Sequence, residues 1–192
     1  MTQQPDSVVT PERFASGMTW QEYVEHIKRN REKFAYNYDE TDLSESDAEA
    51  FRSLAAKADG PAKVLALGED WCPDVFRGLP VMVRIAEAAG LELRIFPRDE
   101  NLDIMKEFLN QGEHQSIPTF VFYTGDHRYI AQWIERPAKA NAEMSQVTAL
   151  FQGKERDEAM SLYNEFQRGP VWASWRQETV RELRELLQEK YG

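Results

Sequence analysis

The sequence predicts an α/β fold, a mixed four-stranded sheet with flanking helices plus N- and C-terminal helical extensions. Three observations carry that prediction. Between residues 60 and 150 short apolar runs alternate with helical patterns, in the order strand–helix–strand–helix–strand–strand–helix. The alternating start implies parallel pairing through right-handed crossovers, and the two closing strands imply an antiparallel hairpin. Outside this block the apolar residues recur at helical spacing.

Taken in order, residues 1–10 are polar and are expected to be loose. A helical stretch starts at Thr19, where Trp20, Tyr23, Val24, Ile27, Phe34 and Tyr38 recur mainly at three-, four- and seven-residue steps. Thr19 is its expected N-cap, with Glu22 as the capping-box partner. A second helix follows "LSES", capped by Ser44 or Ser46, with Ala48, Phe51, Leu54 and Ala55 as its apolar stripe. "ADGP" at 58–61 ends it, because Gly and Pro both stop helices.

The period then changes. "KVLAL" (63–67) is short, apolar and bounded by turn residues, as a buried strand is. Residues 72–89 read as a helix with Phe76, Leu79, Val83 and Ala86 inward and Gly90 as the stop. "LELRIF" (91–96) alternates like a strand. Residues 101–111 read as a short helix carrying Leu102, Met105, Phe108 and Leu109, closed by Gly112. "PTFVFY" (118–123) and "RYIAQW" (128–133) are strands joined by "TGDH", a hairpin signal. Residues 138–168 return to helix, broken near Gly153 and stopped by Gly169-Pro170. A last helix from about Val171 to Tyr191 carries Trp172, Trp175, Leu183, Leu186 and Leu187. The expected organisation is a helical extension over 1–59, a core over 60–150 and a second extension over 151–192, packed as one globular unit.

Composition narrows the function classes. The chain has 192 residues, enough to bury a core without staples. Its net charge of −10 repels nucleic acid and anionic membrane alike, so neither is an expected partner. A single cysteine excludes an intrachain disulfide and argues against a cysteine zinc cluster, and three scattered histidines add no metal site. No metal or cofactor is expected. "MTQQPDSVVTPERF" lacks a basic end followed by an apolar core, and no apolar window is long enough to span a membrane. A cytoplasmic location is expected, where a lone thiol stays reduced.

That cysteine lies in "WCPDV" (71–75). Cys72 follows a buried strand and opens a helix, and Pro73 suits a first helical turn, where its missing N–H is no loss. A sulfur at this place faces free backbone N–H groups and the positive end of the helix dipole, which favour the thiolate and lower its pKa. Glu69, Asp70 and Asp74 oppose this, since negative charge disfavours the thiolate, and Arg77 is placed to offset part of their effect. The alternative is an inert cysteine packing as a small hydrophobe.

"DWCPDV" (70–75) resembles the W-C-x-x-C turn of the thioredoxins. Pro80 lies eight residues after Cys72, where thioredoxins carry the proline that kinks this helix. "SIPTFVFY" (116–123) resembles their Ile-Pro-Thr segment. The resemblance covers roughly residues 60–150, and the longer pattern is also similar to a bacterial branch of thioredoxin-like proteins, some of which lack the second cysteine. It implies a thioredoxin-like fold in which Cys72 is the attacking cysteine and Trp71 the flanking tryptophan. It implies a cis Pro118 facing the reactive cysteine, with Ile117 supplying backbone to a substrate strand, and a substrate-binding surface made of Trp71, Pro73, Asp74, Val75, Ile117 and Pro118. Two positions depart from the family. Val75 stands where the resolving cysteine belongs, and Ala66 stands about where thioredoxins keep a buried acid.

Dithiol reduction needs a second thiol to resolve the first mixed disulfide, and Val75 has no sulfur. The leading expectation is therefore monothiol thiol–disulfide exchange or redox sensing at Cys72, with a protein or a low-molecular-weight thiol or disulfide as partner. The alternative is a redox-inactive binding module for a peptide, small ligand or protein. His114, four residues before Pro118, is a base near the sulfur or a solvated histidine at a helix end. Arg98, Asp99 and Glu100 lie at the sheet end where the reactive turn opens, as a solvated loop or a selector of charged partners, with Asp99 or Asn101 capping the next helix. Trp172 and Trp175 form an apolar face that either packs on the chain's own core or makes a homodimer from an otherwise monomeric chain.

Overall fold

The computed structural model describes residues 7–191. Its centre is the sheet. Strands β1 (Lys63–Gly68), β2 (Glu92–Pro97), β3 (Thr119–Tyr123) and β4 (Tyr129–Ile134) stand in the order β2-β1-β3-β4. β1 pairs parallel with β2 and antiparallel with β3, and β4 closes the hairpin antiparallel to β3. The central strands are buried almost throughout, which is why they read as continuous apolar runs. Neighbouring side chains alternate faces. Phe120 stacks on Trp133 with ring centroids 5.5 Å apart, whereas Tyr123 turns to Phe14 and His127 on the other side.

Nine helices are present among the described residues: α1 (Pro11–Ala15), α2 (Trp20–His26), α3 (Arg31–Asp39), α4 (Glu45–Ala55), α5 (Pro73–Ala89), α6 (Leu102–Met105), α7 (Ala138–Phe151), α8 (Arg156–Phe166) and α9 (Pro170–Tyr191). Helix α5 is the pivot. It packs on β1 and β2, and α3, α4 and α9 pack on it in turn. Its buried set therefore runs around the helix and includes Asp74 and Arg77. Pro80 lies inside it, as the resemblance implies.

Several local expectations hold and several do not. Thr19 and Glu22 form the capping box, and Ser44 rather than Ser46 caps α4. The stretch from Trp20 to Tyr38 is two helices, not one. Asn30 takes a left-handed backbone (φ 54°), and the N–H groups of Lys28 and Arg29, freed from any helix, both donate to the Asp70 carboxylate at 2.9 Å. A tertiary contact thus breaks a helix that local periodicity would continue. The expected loose segment lies partly outside the described residues, but Ser7–Val9 are docked. The Ser7 hydroxyl and the Val8 N–H donate to Glu107, Val9 is buried, and its carbonyl meets His127 Nε2 at 2.8 Å.

The helix expected over 101–111 shrinks to the single turn of α6, with Leu102 exposed and only turns beyond it. Asn101 stands at its N-cap but does not cap it. Its side chain donates to the Pro97 carbonyl and accepts from Arg13. Trp172 and Trp175 are 1 % exposed within the chain's own core, so neither lies on an open apolar face. No helix among the described residues is long and apolar enough to cross a membrane.

Candidate functional site

The turn after β1 places Cys72 at the N-cap of α5. Its backbone is extended (φ −86°, ψ 123°), and its carbonyl accepts from the N–H groups of Val75 and Phe76 at 3.1 Å. Pro73 occupies the first turn. The thiol lies 3.7 Å from the Ile117 carbonyl oxygen, to which S–H donates. The Ile117–Pro118 peptide is cis. Gly78, one turn into α5, makes room for this approach, since a Cβ there would stand 3.3 Å from the Pro118 ring. Cys72, Ile117 and Pro118 are thereby brought together, and Trp71 stands beside them at 43 % exposure. The Arg98 guanidinium lies 5.3 Å from the Trp71 ring centroid, fixed by Asp99 at 2.7 Å and the Gln115 carbonyl at 2.9 Å.

Cys72 as a residue is 9 % exposed. Burial pushes its pKa up, and the Asp74 carboxylate pushes the same way. The N–H groups of Val75 and Asp74 and the Arg136 guanidinium pull it down and do not prevail. The helix start does what was expected of it; desolvation outweighs it. The S–H to Ile117 bond adds to this preference, because only the protonated sulfur can donate.

The three acids of the turn are all engaged. Glu69 accepts from the Asp99 N–H at 2.7 Å, and Asp70 accepts from Lys28 and Arg29. Asp74 sits between Arg77, with Nη2 2.7 Å away, and Arg136, 2.9 Å away. Arg77 is 1 % exposed and lies 5.0 and 5.3 Å from the ring centroids of Trp172 and Trp175. It is occupied with Asp74 and two indoles rather than with the sulfur.

At the departing positions, Val75 is fully buried and packs over the end of β1, its Cγ1 2.7 Å from where a Gly68 Cβ would stand. Ala66 faces no water and pairs with Ile95 and Phe120, so no acid reaches the sulfur from there. His114 is exposed in a turn with Asn110, and the hydrogen bond of Cys72 goes to Ile117 instead. Sequence reasoning missed Arg136, Tyr23 and Tyr163. Arg136 follows β4 with no motif around it. Tyr23 carries a buried hydroxyl with no hydrogen-bond partner among the described residues, its pKa raised by burial and by Glu69, Asp70 and Cys72. Tyr163 of α8 is held high by burial, with Asp74, Arg77 and Cys72 close enough to act on it. No cluster of three metal-ligating side chains exists among the described residues.

A family model described as thioredoxin matches residues 17–150. No curated protein matches the sequence. Among solved structures, the chain is similar to a protein of unknown function from Pseudomonas aeruginosa, with TM-score 0.64 and 16 % identity over 92 % of this chain and 95 % of the other. It is similar to an HIV epitope-scaffold with TM-score 0.64 and 17 % identity over 96 % and 99 %. At such identities both likenesses speak to fold alone.

Proposed function

The chain belongs to the thioredoxin family, and we propose that within it Cys72 acts as a single-cysteine site of thiol–disulfide exchange. The observation that carries this reading is the placement of the sulfur at the start of α5, 3.7 Å from the carbonyl before the cis Pro118 and beside the exposed Trp71. The thiolate of Cys72 attacks one sulfur of a partner disulfide. A new S–S bond joins Cys72 to that sulfur, and the other half leaves as a thiolate. Val75 cannot resolve the adduct, so a second external thiolate attacks it and restores the Cys72 thiolate. Electrons are conserved within the exchange. The Ile117–Pro118 edge and Trp71 would hold the partner. Because the resting sulfur favours its proton, exchange is slow at neutral pH and quickens as pH rises.

Its test is intact mass after exposure to oxidised glutathione. One mixed-disulfide adduct is expected on the wild-type chain, none on Cys72→Ser, and complete release by reduced glutathione. A wild-type chain that takes up no adduct would overturn the reading. That outcome belongs to the second reading, a redox-inactive binding module, which the raised thiol pKa and the closed S–H to Ile117 bond favour.

A further inference from the structure

The short 3-10 turn after β2, Arg98–Glu100, touches both lips of the thiol site. On the Cys72 side, the Asp99 N–H donates to Glu69 Oε1 at 2.7 Å, and the Glu69 carbonyl accepts from the Cys72 N–H at 3.3 Å. On the cis-proline side, Arg98 Nη1 donates to the Gln115 carbonyl at 2.9 Å, just before Ile117. The same guanidinium holds Asp99 Oδ1 from Nε at 2.8 Å and from Nη2 at 2.7 Å. Its carbon stands 5.3 Å from the Trp71 ring centroid. One side chain, itself only 15 % exposed, thus joins Trp71, Asp99 and Gln115.

Trp71 has little other support. It is an exposed ring, and among the described residues no aromatic side chain and no other cation pairs with it. Ordering such a side chain on docking costs about 0.5–1.5 kcal/mol. The Gln115 carbonyl lies on the stretch that leads into Ile117–Pro118, whose place sets the edge a partner meets. Fixing both before a partner arrives removes that cost. A lysine is a single point charge on a flexible stem, whereas the planar guanidinium fork reaches Asp99, Gln115 and Trp71 at once. The charges that act on the sulfur itself are Asp74 and Arg136. Arg98 therefore acts on docking and not on the acidity of the thiol.

We propose that Arg98 is a positioning residue of the thiol site, holding Trp71 and the Gln115–Pro118 segment at one spacing. A disulfide carried on a polypeptide, which meets both lips, then docks on a preformed edge, and a small disulfide gains little from it. The proposal rests on the reading of Cys72 as an exchanging thiol.

The test compares two probes on the full chain. One is a short neutral peptide whose cysteine is in mixed disulfide with thionitrobenzoate; the other is N-acetylcysteine in the same mixed disulfide. With either, the Cys72 thiolate attacks the cysteine sulfur and a new S–S bond forms. Thionitrobenzoate, the lower-pKa thiol, leaves with the electron pair and is read by its colour. Arg98→Met and Arg98→Lys should each slow the peptide about tenfold relative to the small probe, the loss expected when side chains must be ordered on docking. The pH midpoint of Cys72 alkylation should stay where it is. In a Trp71→Ala background the effect of Arg98→Met should shrink, because the ring it holds is gone. Asp99→Asn, at an exposed side chain, should give a smaller loss of the same kind and carries the test if Arg98→Met does not fold. Four results would overturn the proposal: equal slowing of both probes, a shifted midpoint, full activity of Arg98→Lys, or no change in either Arg98→Met or Asp99→Asn. A wild-type chain inert toward both probes would instead overturn the thiol-exchange reading, and the proposal with it.

Discussion

Helix α5 is buried on two sides, and the two sides are held by different chemistry. Toward the sheet, Val75 and Gly78 meet Gly68, Pro118 and Phe120 in apolar contact. Toward the added helices, Phe76 meets Phe34 and Trp172, while Arg77 lies against Trp172 and Trp175 and holds Asp74. Asn37 of α3 ties this second side to α9, accepting from Trp172 Nε1 at 2.9 Å and Arg176 Nη1 at 3.0 Å. The sheet side needs only shape. The other side encloses charge, and a buried ion is tolerated only while its partners and covering rings stay in place. The added helices are thus structural partners of the turn that presents Cys72.

The sharpest way to break this comparison is to remove the covering ring. Trp172→Ala should cost about 3–5 kcal/mol, as large core truncations do, read from urea unfolding. A loss below about 1 kcal/mol would mean that α9 does not hold α5. Next in size is Arg77→Met, which strands Asp74 with Arg136 alone and should cost about 3 kcal/mol. The double variant Arg77→Met with Asp74→Asn should recover most of it, and a double-mutant cycle reads the coupling.

A smaller effect comes from the thiol. Its folded pKa is raised, so the stability it contributes is complete below the free thiol value of about 8.5 and fades as pH climbs through the folded value. Between roughly pH 8.5 and 10 stability should fall by no more than about 1.4 kcal/mol per pH unit, and Cys72→Ala should flatten that limb. The buried Tyr23 and Tyr123 hydroxyls, also raised by burial, add to the decline only at higher pH. The smallest effect is that of Trp71→Ala. At an exposed position it should change stability by less than about 0.5 kcal/mol, while slowing exchange with a peptide disulfide more than alkylation by a small reagent. Equal slowing of both would remove Trp71 from the docking edge.

The sheet and α5 were legible because their signals are local. The change of period at Lys63, the Gly90 stop and the "TGDH" turn each lie within a few residues of what they specify. The association of Cys72 with Ile117-Pro118 was legible only through the family resemblance, since nothing in spacing joins positions 45 residues apart. What was missed depends on long-range contacts. The break before α3 is fixed by Asp70, some 40 residues downstream. The indoles over Arg77 come from the far end of the chain, so a residue that looked placed to assist the thiolate was already spoken for. The direction of the Cys72 pKa was also beyond local reading, because the helix start argues one way and burial the other, and only packing decides.

The measurement that tests the central claim most directly is the alkylation rate of Cys72 against pH in the folded chain, with Cys72→Ser as the blank. The account predicts complete reaction at one site with a midpoint above about 8.5. No reaction short of unfolding would contradict it, because a sulfur that no small electrophile can reach cannot exchange disulfides.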